Sequence, residues 1–310
     1  MKSAQPVLRL QSPTRRTSGP APLEAYWDRM NRRIHRELLR LLPPAKTGPG
    51  RIHEAMRYAV FGGGKRLRPF LTLAACDALG GELRQALPAA CALEMIHTYS
   101  LVHDDLPAMD DDDYRRGRPS CHKAFGEAMG ILAGDALLTR AFEVIATRTP
   151  DRRLAPALVA EVGFGAGTFG MIGGQVLDIQ GLKPSPRIVE EIHLRKTAAL
   201  ITSALRAGAI AARATPARLR AVTTYGRNLG LAFQIVDDIL DIFGTREQLG
   251  KTPGKDAADR KVTYPAVFGV EASRRRAERH VAAAKRALAP LGRRGAHLAD
   301  LADFVFSRSS

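Results

Sequence analysis

"LRQALPAACALEMIHTYSLVHDDL", residues 83–106, returns apolar side chains every three or four positions and then ends in two adjacent carboxylates. That spacing is the pattern of an α-helix with a buried face. It recurs in "LTLAACDALG" (71–80) and "FQIVDDILDIF" (233–243). Glycine and proline clusters near Gly62–Gly64, Gly80–Gly81, Thr149–Pro150, Lys183–Pro186, Thr215–Pro216 and Gly250–Gly254 interrupt the pattern. They predict about ten or more helices. Alternating strand-like runs bounded by hairpin turns are scarce, so the expected fold class is all-α. No linker or internal repeat divides the chain.

The chain has 310 residues, of which 45% are hydrophobic and 25% charged, enough to bury a large core. Its formal net charge of +16 favours anionic partners: nucleic acid, an anionic membrane surface or a phosphorylated small molecule. Basic residues are not interleaved with aromatics, which argues against nucleic acid. No run of consecutive apolar residues reaches membrane-span length, so no stable membrane insertion is expected. Three cysteines without a CxxC pair argue against a disulfide framework or zinc site and fit a reducing cytoplasm. Residues 1–22 are rich in Arg, Ser and Pro, with no acid before Glu24. They read as a disordered, solvated tail rather than a transit peptide.

A run of acids is ordinarily a solvated helix face. In "DDLPAMDDDDYRRGRP" (104–119), however, Asp104 and Asp105 end an apolar helix, where unpaired carboxylates repel and are costly to bury. The second run repeats the arrangement: Asp237, Asp238 and Asp241 sit inside an apolar helix, with Asp237 and Asp241 one turn apart. Carboxylates are ligands Mg²⁺ prefers, usually together with substrate phosphates and water, so the expected ligand is a magnesium–diphosphate complex. Asp104 and Asp110 lie about 240° apart on an ideal helix. Pro107 between them allows the chain to bend back and bring both to one ion.

Cations accompany the acids. "GGGKRLRP" (62–69) sets Lys65 and Arg68 after a flexible glycine turn, as a phosphate clamp requires. His97 lies two turns before Asp104 on nearly the same face. Arg115 and Arg116 follow the first acidic run. Lys196 and Thr197, then Lys251, Lys255 and Lys261, supply polar and cationic groups near the second. Taken singly, each of these also suits an exposed helix end or, for His97, the core.

In order along the chain, "GGKRLRP", "DDLPAMDDDDYRRGRP", "GGQVLDI", "KT", "FQIVDDILD" and "GKTPGKDAADRKVTYP" resemble the all-trans polyprenyl diphosphate synthases. The resemblance runs from about residue 25 to the C-terminus, and the four-residue spacer "LPAM" is similar to the bacterial farnesyl type. It implies a single large helical bundle of the prenyltransferase type around a central cavity, formed by residues 23–310 and usually homodimeric.

It also implies site residues. Asp104, Asp110 and Asp237 would ligate Mg²⁺, three ions per site with Mn²⁺ as a substitute, while Asp105, Asp238 and Asp241 act as ligands or support. Lys65, Arg68, His97 and Arg116 match the positions that hold isopentenyl diphosphate. Arg115, Lys196, Thr197, Gln234, Lys251 and Lys261 match those around the allylic diphosphate, supported by Gln175 and Asp178. The catalytic set is then the two aspartate pairs with Asp110, Arg115, Arg116 and Lys196.

The implied reaction is condensation of isopentenyl diphosphate with dimethylallyl or geranyl diphosphate to farnesyl diphosphate (C15). The alternatives are a C20 synthase and, less favoured, a non-catalytic subunit of a heteromeric synthase. A terpene cyclase would also ionise an allylic diphosphate but would not need the Lys65/Arg68/His97 clamp. Chain length is expected to be set by Tyr99 and Ser100, five and four positions before Asp104. At about 140° from Asp104, Tyr99 lines the same space only if the helix bends or the cavity is wide. An aromatic residue at that position is associated in the family with a floor that stops growth at C15.

Overall fold

Burial on nearly every face marks two helices as the centre of the molecule. α4 (Leu83–Asp104) is continuously buried from Ala89 to Ile96, and α10 (Ala199–Ala211) from Leu200 to Leu205. A helix apolar all round must be surrounded by others. Burying each of Leu200, Ile201 and Leu205 contributes about 1.5–3 kcal/mol. Around α10 stand α3 (Leu67–Ala78), α4, α7 (Ala155–Ala166) and α11 (Pro216–Phe243). The approach to α3 is close: a Cβ on Gly208 would sit 2.2 Å from the Thr72 carbonyl oxygen.

α6 (Glu127–Arg148) covers α4 together with α2 (Gly50–Val60), and α13 (Val270–Ala287) covers α11. α1 (Leu23–Leu41) and α14 (Ala296–Ser307) pack beside α3. Shorter helices α5 (Cys121–Phe125), α8 (Met171–Ile179), α9 (Pro186–His193) and α12 (Tyr264–Phe268) complete the shell. This computed structural model describes residues 22–243 and 261–307. The tail to residue 21 and the expected break at Gly250–Gly254 lie outside them.

The other expected breaks all separate helices. Ser185 caps α9 by accepting a hydrogen bond from the Ile188 N–H, and Pro186 occupies its first turn, where a missing N–H costs nothing. The stretch Arg152–Ile179 is apolar enough in composition for a membrane span, but the chain breaks at Gly167–Gly170 into α7 and α8.

One local feature departs from the all-helical expectation. Tyr114–Arg115 pairs with Arg118–Pro119 as a minimal antiparallel hairpin. Its central residues Arg116 and Gly117 both have positive φ, 54° and 75°, as a type I′ turn requires. Arg116 is a poor choice for that conformation, and its guanidinium is held by the Gly63 carbonyl oxygen.

Candidate active site

α4 delivers Asp104 as its last residue and Asp105 as its cap. The chain then folds back on itself: the Asp110 N–H donates to the Asp104 carbonyl at 2.8 Å, and the Asp112 N–H to that of Asp105 at 3.1 Å. The bend expected at Pro107 therefore brings Asp110 beside Asp104. Burial, with Asp110 nearby and Lys196 opposing, raises the Asp104 carboxyl to about 6. The Gln175 amide donates to it at 3.0 Å. Asp105 points elsewhere. It is 2% exposed and accepts from Arg115 Nε at 2.9 Å, while Arg115 also bonds Asp112 at 3.1 Å.

The second pair divides in the same way. Asp237 lines the central cavity, whereas Asp238 is 3% exposed and turned into the protein. Asp238 accepts from the Gln234 amide at 3.0 Å and from the Tyr264 N–H at 2.9 Å. His193 lies 3.5 Å away, but burial pushes its pKa down to about 3, so it stands there as a neutral ring and not as an ion-pair partner. Asp241, one turn beyond Asp237, is buried and does not line the cavity.

Facing these motifs is a π-helical turn, Leu194–Ala198, which carries Lys196 and Thr197. Such turns recur at functional sites. It abuts α8 so closely that a Cβ on Gly174 would lie 2.1 Å from the Lys196 nitrogen. Lys196 Nζ bonds Asp178 at 2.6 Å, and Thr197 Oγ1 donates to the side-chain Oε1 of Gln234 at 2.7 Å. The expected supporting roles of Gln175 and Asp178 thus have partners: one holds Asp104, the other Lys196. Lys261 reaches Asp110 at 3.6 Å and so joins the first acidic motif to the segment preceding α12. Lys251 lies outside the described residues.

Two cavities meet here. The larger, of about 760 Å³, is lined at one end by Asp104, Asp237, Arg115, Lys196, Thr197, Gln175 and Gln234. Its other walls are apolar, with Tyr99, Leu138, Met171, Ile172, Val176 and Ile179. Tyr99 does line the same space as Asp104, because the cavity is wide. It is 5% exposed, its hydroxyl makes no hydrogen bond among the described residues, and burial, reinforced by Asp104, raises its pKa to about 12. Ser100 also lines this cavity and donates to the His97 carbonyl.

The smaller cavity, about 380 Å³, lies under the glycine turn and gathers Lys65, Arg68, His97 and Arg116. Arg68, His97, Arg116 and Phe233 line both cavities. Burial, with Arg68, Arg116, Arg115 and Arg66 around it, holds the His97 pKa well below the usual imidazole value, so this ring stays neutral. Burial also lowers Arg68, to about 10.

Sequence reasoning missed the support beneath this clamp. Arg66, at φ 53°, pairs with the buried Glu94, and the Trp27 indole donates to the Lys65 carbonyl at 3.1 Å. An acid inside the apolar run "ALEMIH" was the available signal. Phe233, the aromatic wall between the two cavities, had none.

The carboxylates suit a hard divalent cation. Asp104 and Asp110 are held together against their own repulsion, and all the donors are oxygens. Asp104, Asp110 and Asp237 do not, however, form a tight three-ligand group. Among the described residues that spacing is met by Asp111, Asp113 and His122.

An all-helical bundle around a cavity with carboxylates and cations at one end and apolar walls beyond defines an enzyme of the isoprenoid synthase fold. A family model described as polyprenyl synthetase matches residues 49–289. A geranylgeranyl diphosphate synthase of Cyanophora paradoxa is 46% identical over 270 residues, covering 86% of this chain and 90% of the relative. A farnesyl diphosphate synthase of Geobacillus stearothermophilus is 44% identical over 267 residues, covering 84% and 90%. The crystal structure of an FPP/GFPP synthase from Zymomonas mobilis superposes with a TM-score of 0.81 at 35% identity, covering 92% of this chain and 98% of that one. The chain belongs to the polyprenyl synthetase family, the trans-prenyl diphosphate synthases.

Proposed function

We propose that the protein condenses isopentenyl diphosphate with dimethylallyl or geranyl diphosphate and stops at farnesyl diphosphate. The observation that carries the reading is the pair of joined cavities, one with carboxylates and apolar walls, the other with a basic polar end in which the acid Glu94 is paired with Arg66. They share Arg68, His97, Arg116 and Phe233.

In this reading the allylic diphosphate occupies the acidic end of the larger cavity and its hydrocarbon tail the apolar remainder. Asp104, Asp110 and Asp237 would hold Mg²⁺, with Asp105, Asp238 and Asp241 behind them; when bound, the ions offset the charge of a departing diphosphate. Lys196 and Arg115 add fixed positive charge at the same end. The apolar walls exclude water while the allylic C–O bond ionises. Lys65, Arg68 and Arg116 grip isopentenyl diphosphate in the smaller cavity, and the neutral His97 adds a hydrogen-bonding group without further charge repulsion. Its double bond attacks the allylic carbon, and the released diphosphate accepts the proton lost from the product.

C15 termination rests on Tyr99, a large ring buried in the wall below Asp104. A homodimer is supported by apolar side chains left exposed, Ile131 and Leu132 on α6 and the stacked pair Phe164 and Phe169. The test is product analysis of the purified protein with isopentenyl diphosphate and each allylic starter in turn. C15 product is expected, and longer chains from Tyr99→Ala, because the lost ring leaves space for another isoprene unit. C20 product from the unaltered protein, or no lengthening in the variant, would overturn the C15 reading.

A further inference from the structure

Three residues between the acidic loop and α5 form a cluster that the reaction does not use. Asp111 and Asp113 are exposed, while His122, the second residue of α5, is 5% exposed. One ligand atom from each lies within 4.8 Å of the others. None of the three lines either cavity.

The imidazole supplies the independent observation. His122 Nδ1 is engaged by Ser120 Oγ at 3.1 Å, and Ser120 is itself 1% exposed, so the ring is fixed from behind. Nε2 is buried and makes no hydrogen bond among the described residues. If Nε2 carried the proton, a buried N–H would go unsatisfied at a cost of about 1–3 kcal/mol. If Nδ1 carries it and donates to Ser120, Nε2 keeps a lone pair with no donor among the described residues, on a ring that has a nitrogen within 4.8 Å of carboxylate oxygens of Asp111 and Asp113, an arrangement a cation satisfies. Metal–ligand bonds of about 2.0–2.2 Å put neighbouring donor atoms roughly 3–4 Å apart, within the spacing observed. A donor held from its far nitrogen is also how metal-binding histidines are oriented.

We propose that Asp111, Asp113 and His122 form a divalent transition-metal site separate from the catalytic one. One imidazole and two carboxylates suit Mn²⁺, Co²⁺ or Zn²⁺ better than Mg²⁺, which prefers oxygen and keeps its waters. Lys123 Nζ, 2.8 Å from one Asp113 oxygen, is the competing cation. That pair is solvent-exposed, contributes little, and leaves the other oxygen for a metal. Occupancy would tie the loop to α5 one residue beyond Asp110, where the Asp111 N–H already donates to the Leu106 carbonyl.

The test removes the catalytic ligands first. The full-length Asp104→Ala/Asp237→Ala protein, stripped with chelator and free of diphosphate, is titrated with Co²⁺ and read by visible d–d absorption and calorimetry. One tightly bound equivalent is expected, not displaced by excess Mg²⁺. Adding His122→Gln or Asp113→Asn should weaken it about tenfold or more. Because His122 is buried and its replacement risks the fold, the exposed Asp113→Asn carries the decision, with circular dichroism as the control. No Co²⁺ binding, or binding that Asp113→Asn leaves unchanged, overturns the site. The outcome is independent of prenyl-transfer activity.

Discussion

Both aspartate pairs place one carboxylate in the cavity and bury the next, yet they do so by different means. At the first pair the helix has ended, and Asp105 is neutralised by a full positive charge on Arg115. At the second the helix continues, and among the described residues Asp238 accepts hydrogen bonds from uncharged donors, the Gln234 amide and the Tyr264 N–H. The first arrangement leaves a bendable loop that brings Asp110 back toward Asp104. The second leaves a rigid helical wall. A pair of adjacent aspartates thus yields one group for the ligand and one for the scaffold in either setting.

If that division is right, the largest effect belongs to the cavity-facing members. Asp104→Ala and Asp237→Ala should each lower turnover by about a thousandfold or more, equivalent to several kcal/mol of lost charge stabilisation. Melting temperatures should barely move. Steady-state rates and thermal denaturation together decide it, and chelator should abolish activity of the unaltered enzyme. Near-normal turnover in either variant would break the comparison.

The buried members should behave in the opposite sense. Asp238→Ala orphans the Tyr264 N–H and frees Gln234, at a cost of about 1–3 kcal/mol of stability, readable by denaturant titration. A stability unchanged by the substitution would mean that Asp238 does not anchor α12 to α11.

A subtler effect separates the two cavities. Lys65 lines only the basic cavity, whereas His97 lines both. Lys65→Ala should therefore raise the KM for isopentenyl diphosphate by about tenfold, the worth of one charged hydrogen bond, with little change for the allylic substrate. His97→Ala should affect both, though isopentenyl diphosphate more. Kinetics with each substrate varied in turn would expose equal effects from Lys65→Ala, which would contradict separate clamps.

The smallest effect concerns groups that neither cavity uses. Cys76, Cys91 and Cys121 are buried and free, and burial pushes Cys76 up to about 12 and Cys121 to about 11. Thiolate is the reactive form, so the folded protein should resist iodoacetamide at neutral pH and react only after denaturation. Rapid labelling of the native protein, read by mass spectrometry, would show a thiol more accessible than this packing allows.

Much of this was legible in the residues themselves. Periodicity located the helices, since a side chain every three or four positions has one physical use, and the glycine and proline breaks fell between them. The acids and bases that line the two cavities stood out because carboxylates and guanidinium groups are costly in apolar runs without a partner. The hairpin at Tyr114–Pro119 escaped notice because its turn has Arg116 where glycine or asparagine would be the signal.

Tertiary structure alone decided which member of each pair faces the cavity. Adjacent residues on a helix point about 100° apart, so one of two aspartates must turn away, but neighbouring elements select it. Arg115 across the bend takes Asp105, and the start of α12 takes Asp238. The sequence by itself determined that two acidic sites and a basic clamp exist on an all-helical frame. Only the packing of α3, α4, α11 and the Tyr114–Pro119 hairpin decided that Arg68, His97 and Arg116 serve two cavities at once, because that depends on distances between residues far apart in the chain.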